Sequence, residues 1–460
     1  MPPSKPSSCS HGKLVFSPSS HATKAGYKEP NLAKRIAATT ARGTVVSQTA
    51  KKSSVDKTPN RSAFPAPLVL PGDELAWDPS YPCQSFRAWS QLKERNAVTP
   101  ERRTVYFTGP PDLDSGMEYT RKWSQPRIKR GVKEKAGGFP KTGDVLSYLG
   151  AFYHGLPVKM LPAPQICFTS DVDDDSSPPT PQGKGARGET AAPPSPTLWL
   201  NTHKPTGCIG IRTRATPKGD FSHQLNLNDL LDAATEILPD DAYALLVLVE
   251  HDIYEDEDDD FACGRAYGGS RIAVVSGARY NPILDATQGL ERGHAWPASH
   301  CERYLQSCLA AAEVDAEDDG GDAGMSDVSD EENTVVAPMH VALSAHASLP
   351  SLDSNPSVKA LSGLWLGRVC RTASHELGHC FGIDHCVYYA CSMQGTASVV
   401  EDARQPPYLC PIDLAKILKA TGADQKERYE ALLAFCEGHE EAHLFAAYGA
   451  WIRARLDADR

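Results

Sequence analysis

The stretch His375-Glu376-Leu377-Gly378-His379-Cys380-Phe381-Gly382-Ile383-Asp384-His385 restricts what this chain can fold into more than any other. Arg371 to Phe381 reads as a helix that stops at Gly382. On a helix, residues four apart share a face, so His375 and His379 present their imidazoles side by side, with Glu376 bordering the same place. Gly382 can adopt the left-handed conformation that turns the backbone off the helix, which would return His385 as a third nitrogen. Three nitrogens suit zinc, and they leave a fourth tetrahedral position for water, as a catalytic rather than a structural site requires. A bare His-Glu-x-x-His arises often by accident; a glycine and a third histidine at fixed spacing make it far more specific.

The residues beyond the third histidine narrow the reading. His385 is succeeded by Cys386, then by Cys391 and Met393, and later by Cys410-Pro411-Ile412-Asp413. The three-histidine pattern is that of the metzincins, and the whole arrangement resembles the archaemetzincin family of zinc metallopeptidases. The resemblance spans Leu364 to Leu418 and extends upstream to Thr104–Phe107, Phe152–Leu161 and Leu245–Tyr280. It implies an α+β, zincin-like domain with a mixed β-sheet, an active-site helix and C-terminal helices. It also implies two Zn2+ ions per chain. His375, His379 and His385 would hold the catalytic one, with Glu376 as general base and Met393 as the Met-turn residue beneath it. Cys386, Cys391 and Cys410 would be ligands of the second zinc. Short peptides, cleaved with an aminopeptidase-like preference, are the substrates it suggests.

One position departs from the family. Its cluster ends in Cys-x-x-Cys, whereas here Cys410 is followed three residues later by Asp413. A carboxylate can bind zinc at about 2.0–2.2 Å. Alternatively, Pro411 opens a helix and Asp413 interacts with the free N–H groups of its first turn. The sequence accommodates both. Cys380 is locked on the helix beside His379, and Cys436 and His439 are outside candidates for the missing ligand. Asp384 reads as a loop carboxylate or as a group steadying a ligand, and His251, His294, His300 and His340 have no metal spacing.

Composition sets the frame around this segment. The chain has 460 residues, only 40% of them apolar, with 35 Gly and 36 Pro, which suggests a folded core diluted by disordered segments. The net charge of -11 hides a basic head: residues 1–62 carry eleven Lys and Arg against Glu29 and Asp56, and show no apolar periodicity. They read as a disordered arm, with 63–460 as the metallopeptidase domain, interrupted by disordered insertions near 171–196 and 313–335. Thirteen cysteines, mostly scattered, do not form a disulfide framework and fit a reducing compartment. The longest apolar run, Ala242–Val249, is far short of the roughly 20 residues that span a bilayer, and the N-terminus lacks the apolar stretch of a secretory signal. A monomer, cytoplasmic or nuclear and without membrane contact, is expected.

Local patterns supply the elements. Asn228 reads as the cap of a helix over Asp229–Leu238, Ala244–Val249 as a strand covered on both faces, and Arg271–Ser276 as a second strand that could edge the cleft and pair with substrate. Pro411–Ala420, Gln425–Cys436 and Glu440–Leu456 read as C-terminal helices. Helices following strands imply an α+β domain. The acidic run Glu255–Asp260 near that edge would suit a positively charged peptide N-terminus. Two other classes compete with the enzyme. A zinc-stabilised binding module would need no base beside its ligands, so Glu376 argues against it. Nucleic-acid binding through the basic head is opposed by the acidic remainder.

Overall fold

A computed structural model describes residues 11–44, 61–128, 137–170, 197–204, 207–315 and 337–458. Ala242–Val249 has no polar residue to turn toward water, and it occupies the middle of a five-stranded sheet with every residue buried. We number that sheet's strands β1 (Thr104–Thr108), β2 (Val158–Met160), β3 (Ala242–Val249), β4 (Gly264–Tyr267) and β5 (Ile272–Ser276). Their spatial order is β4-β5-β3-β1-β2. β1, β2, β3 and β5 run parallel, and β4 alone is antiparallel to its neighbour β5. The sheet is therefore mixed, and with the surrounding helices the chain is α+β.

Alternation along the strands sends successive side chains to opposite faces. Val105, Phe107, Ala244, Leu246, Leu248, Ala273 and Val275 join a core with the long helix Val358–Cys380 and the C-terminal helices. Tyr106, Leu245, Val247, Val249, Ile272 and Val274 join a second core with the helix Leu227–Ile237. Beyond that helix lies a six-stranded sheet whose strands, in spatial order, are Asp112–Leu113, Cys167–Thr169, Thr197–Lys204, Gly207–Ala215, His223–Asn226 and Asp252–Tyr254. No helix among the described residues is long and apolar enough to cross a membrane.

Several boundaries differ from the sequence expectation. The helix expected from Asp229 starts at Leu227, because Asn226 rather than Asn228 caps it; the Asn226 side chain accepts from the Asp229 amide at 3.1 Å. Asn228 instead accepts from the Tyr267 hydroxyl at 2.9 Å, a tertiary contact that a cap signature cannot reveal. The active-site helix begins at Val358, not Arg371, since the Ser357 hydroxyl accepts from the Ala360 amide and Leu361, Leu364 and Trp365 continue its buried face. The last helix begins at His443 instead of Glu440. Arg271–Ser276 is not the edge of the sheet. Arg271 sits at φ +66, outside the strand, and β5 lies between β3 and β4, so the edge is Gly264–Tyr267.

The largest departure concerns the head. Its composition predicts disorder, yet residues 11–44 form the helices Ser20–Ala25 and Leu32–Ala38 and bury Leu14, Ala22, Tyr27 and Ala38. The Tyr27 hydroxyl donates to Val387 O at 2.8 Å, and Arg35, 3% exposed, pairs with Glu29 and lies 5.0 Å over the Tyr389 ring. Both contacts fall on the loop between Cys386 and Cys391. The anchors are single residues, Arg35 in a helix of seven residues and Tyr27 just beyond one of six, too short for apolar periodicity to register. Residues 1–10 and 45–60 of the head and the 171–196 insertion lie outside the described residues, as does nearly all of 313–335; Glu313–Asp315 close the helix Glu302–Asp315.

Candidate metal centres

The active-site helix ends in a turn that its sequence requires. Gly382 takes φ +73, the Gly382 amide donates to His379 O at 2.9 Å, and the Ile383 amide donates back to Gly378 O at 3.3 Å. This reversal returns His385 to the helix. The ligand nitrogens of His375, His379 and His385 all lie within 4.8 Å of one another, and the Nε2 atoms of His375 and His379 are 3.0 Å apart. The outer nitrogen of each ring is engaged elsewhere. His375 Nδ1 lies 2.7 Å from Ser392 O, His379 Nδ1 2.7 Å from Ile383 O, and His385 Nδ1 2.8 Å from Glu74 Oε1. Because these oxygens can only accept, each Nδ1 carries the proton and each Nε2 keeps its lone pair for an ion.

Electrostatics agree for two of the rings. Burial, reinforced by the neighbouring imidazoles, holds His375 well below its ordinary range, and burial with His385 lowers His379 to about 4. Both are neutral, the form that binds metal. For His385 burial also disfavours charge, but the Glu74 hydrogen bond and charge outweigh it and the net shift is upward. Burial pushes the Glu376 carboxyl up to about 8, opposed by His385 and Arg265. Glu376 rests against β4, where a Cβ on Gly264 would stand 3.1 Å from Glu376 Cγ. Any larger residue at 264 would crowd the carboxylate. Met393 is fully buried beneath the helix, and a side chain at Gly378 would collide with its sulfur.

Directly beside this site, Cys386, Cys391, Cys410 and Asp413 converge, again with one ligand atom from each within 4.8 Å, and all four are buried. The sulfurs of Cys386 and Cys410 are 3.7 Å apart, and the Cys391 and Cys410 thiols each lie 3.4 Å from Asp413 Oδ2. The helix Pro411–Thr421 is capped by Cys410, whose Sγ accepts from the Asp413 amide at 3.5 Å, so the Asp413 carboxylate is not occupied with capping. One oxygen faces the sulfurs and the other accepts from the buried Lys416 ammonium at 2.8 Å. Burial and the Cys386 charge push Asp413 up to about 6, with Lys416 opposing. Burial works against thiolate formation at all three cysteines. At Cys386 alone, hydrogen bonds from Cys391, Cys410 and the Tyr388 and Tyr389 amides reverse it. Three thiols and a carboxylate facing one point in a dry pocket fit a soft divalent cation such as zinc.

The outside candidates fall away. Cys380 is buried in the main core with its thiol pushed upward by burial, and Cys436 packs between C-terminal helices. His439 lies along the Phe435 ring at 4.4 Å, and neither it nor Cys436 joins the converging groups among the described residues. Asp384 is exposed and accepts from Gln84 Nε2 at 2.8 Å. Three groups at these sites went unread in the sequence. Glu74 and Gln84 arrive from a segment ahead of the sheet, and Lys416 arrives from the helix turn after Asp413. For Lys416 a signal existed, an i,i+3 spacing to a carboxylate. For Glu74 and Gln84 no spacing rule could have supplied one.

The profile of peptidase family M54 matches residues 346–419, the stretch that carries both converging groups, Glu376 and Met393. Archaemetzincin-2 of Macaca fascicularis is 42% identical over 83 residues, 18% of this chain and 23% of that protein. Archaemetzincin-2 of Rattus norvegicus is 26% identical over 210 residues, 46% of each. The chain thus spans about a quarter to a half of the length of these curated relatives. The crystal structure of archaemetzincin from Methanopyrus kandleri, 16% identical, covers 70% of this chain and 97% of that one at a TM-score of 0.29, an overlap too slight to bear on the argument. Across residues 346–419 the chain is thus similar to peptidase family M54, and the relatives it matches are archaemetzincins.

Proposed function

We propose that the protein is a zinc-dependent metallopeptidase that hydrolyses short peptides with an aminopeptidase-like preference, working as a monomer. The observation that carries this reading is the convergence of His375, His379 and His385 on one point beside the Glu376 carboxylate, all bordered by the β4 edge. Zinc held by those imidazoles would supply Lewis acidity toward the scissile carbonyl and acidify water at its open position. Glu376 takes the proton of the attacking water and delivers it to the leaving nitrogen. Among the described residues β4 pairs only with β5, so its outer edge offers backbone groups to a substrate in extended form. Gly264 lets that edge pass close to Glu376, which brings the bound chain and the proton acceptor together.

Cys386, Cys391, Cys410 and Asp413 hold a second, structural zinc in this reading, and Met393 packs under the helix at Gly378. The preference for short peptides and free N-termini rests on the family. Of the acidic run Glu255–Asp260, Glu255 pairs with Arg265 on β4, Glu257 with Arg214 and Asp260 with Lys218.

The test is a peptide-library digest by zinc-loaded protein, with and without chelator, run beside Glu376→Gln. We expect chelator-sensitive hydrolysis that Glu376→Gln reduces by about 10²-fold or more with zinc still bound. Full turnover by that variant removes Glu376 from its role. Zinc binding without any hydrolysis by the unmodified protein would replace the enzyme with a zinc-stabilised binding module.

A further inference from the structure

His375 and His379 are held by their own neighbourhood: both stand on one helix, and both donate to backbone carbonyls within the same metal-binding segment. His385 is different. It lies beyond the helix, after a left-handed glycine, and its Nδ1 is held by a side-chain carboxylate 311 residues away in sequence. We propose that Glu74 is a positioning residue of the three-histidine site, fixing the tautomer and ring plane of His385 so that Nε2 faces the ion. The proposal rests on the reading of these histidines as zinc ligands.

The segment bearing Glu74 is built to hold it still. Next to it, Asp73 forms a buried ion pair with Arg404 at 2.5 Å and also accepts from the Leu70 amide at 2.7 Å. The Glu74 amide donates to Glu401 Oε2 at 2.9 Å. Gly395 leaves the space that the Glu74 carboxylate fills, since a Cβ there would collide with it. Leu68, Leu70 and Leu75 bury the segment's apolar residues.

Downstream, the same segment clasps the rest of the turn. Gln84 Nε2 donates to Gly382 O at 3.0 Å and to Asp384, and the fully buried Trp89 donates through Nε1 to Phe381 O at 2.8 Å. The Tyr81 ring lies 5.6 Å from that of His385. Phe381, Gly382, Asp384 and His385 are thus all fixed from outside the metal-binding segment. A carboxylate on the outer nitrogen of a ligand imidazole orients the ring and raises its basicity, and losing such a partner typically costs 10–100-fold in metal affinity.

The experiment compares Glu74→Gln and Glu74→Ala with unmodified protein, measuring zinc affinity at the site lost in His379→Ala by chelator competition. The visible spectrum of the Co2+-substituted protein is read alongside. Zinc affinity should fall 10–100-fold in Glu74→Ala with a changed cobalt spectrum, while Glu74→Gln, which keeps an acceptor oxygen without charge, lies between. Unaltered affinity and spectrum in folded Glu74→Ala overturn the proposal. Should both Glu74 variants fail to fold, the imidazole 15N resonances of the zinc-loaded unmodified protein decide. An Nδ1-protonated His385 with a low-field proton supports the role, and its absence removes it. If the unmodified protein holds no zinc on these histidines, it is the metallopeptidase reading that fails instead.

Discussion

The two converging centres lie side by side but are built to opposite specifications. The imidazoles are partly exposed and border a strand edge left unpaired among the described residues, and each keeps one nitrogen tied outward. The sulfur centre is wholly buried, roofed by Tyr388, Tyr389 and the head helices and closed from below by Lys416. One arrangement is partly open to solvent and the other is not, the difference that the proposed catalytic and structural roles require. They are also joined. Ser392, between Cys391 and Met393, gives its carbonyl to His375, and the Cys386 amide donates to Met393 O at 2.7 Å. The closed centre therefore shapes the floor on which the open one stands.

The largest effect expected from this contrast is that of Asp413→Ala. It removes one converging group and leaves the Lys416 ammonium buried beside sulfurs without its carboxylate, a loss of about 3–5 kcal/mol of stability. Zinc content by mass spectrometry should fall from two per chain toward one, and urea unfolding should shift to lower denaturant. Zinc content and unfolding midpoint both unchanged would reduce Asp413 to an ordinary buried acid. Asp413→Cys sharpens the comparison. It should restore the metal count without restoring stability, because a thiol cannot serve the cluster and Lys416 together.

A smaller effect separates the centres kinetically. Graded chelation should empty the imidazole site first, abolishing hydrolysis while most of the thermal stability persists. Loss of activity and of the folded state at the same chelator concentration would erase the distinction between open and closed.

The smallest effect lies away from both centres. Burial, aided by His443, lowers His346 to about 3. A histidine depressed in the folded state adds stability that is whole above its unfolded value near 6.5 and drains away as pH falls toward the folded value. The stability of unmodified protein relative to His346→Asn should therefore decline from pH 7 to pH 4, as tracked by chemical denaturation at each pH. A constant difference would show that His346 titrates normally.

The legibility of each feature in the sequence depends on the range of the interaction behind it. The helix, its glycine exit and the histidine spacing are local, and residues 375–385 report them directly. The wholly apolar strand Ala242–Val249 announced its central place for a similar reason, having no polar side to expose. The edge was misassigned because strand order is a tertiary property: the short Gly264–Tyr267, with its Gly and Arg, has no strand pattern of its own, and only its pairing with β5 shows that it lies outside it. The head was misread because its charge dominates its composition, while single anchors such as Tyr27 and Arg35 find partners only on the folded surface.

The sequence by itself determined the histidine spacing and the turn that gathers three imidazoles, since these lie within a few turns of chain and derive from helix geometry; the sulfur cluster entered through the family resemblance, with Asp413 left open between ligand and helix first turn. Only the tertiary structure decided which way the Asp413 carboxylate faces, which strand borders Glu376, and that Glu74 and Gln84 secure the His385 turn. The contacts made by Glu74 and Gln84 join residues hundreds of positions apart. No periodicity encodes them; they exist because separate apolar surfaces pack together and carry their polar groups into place.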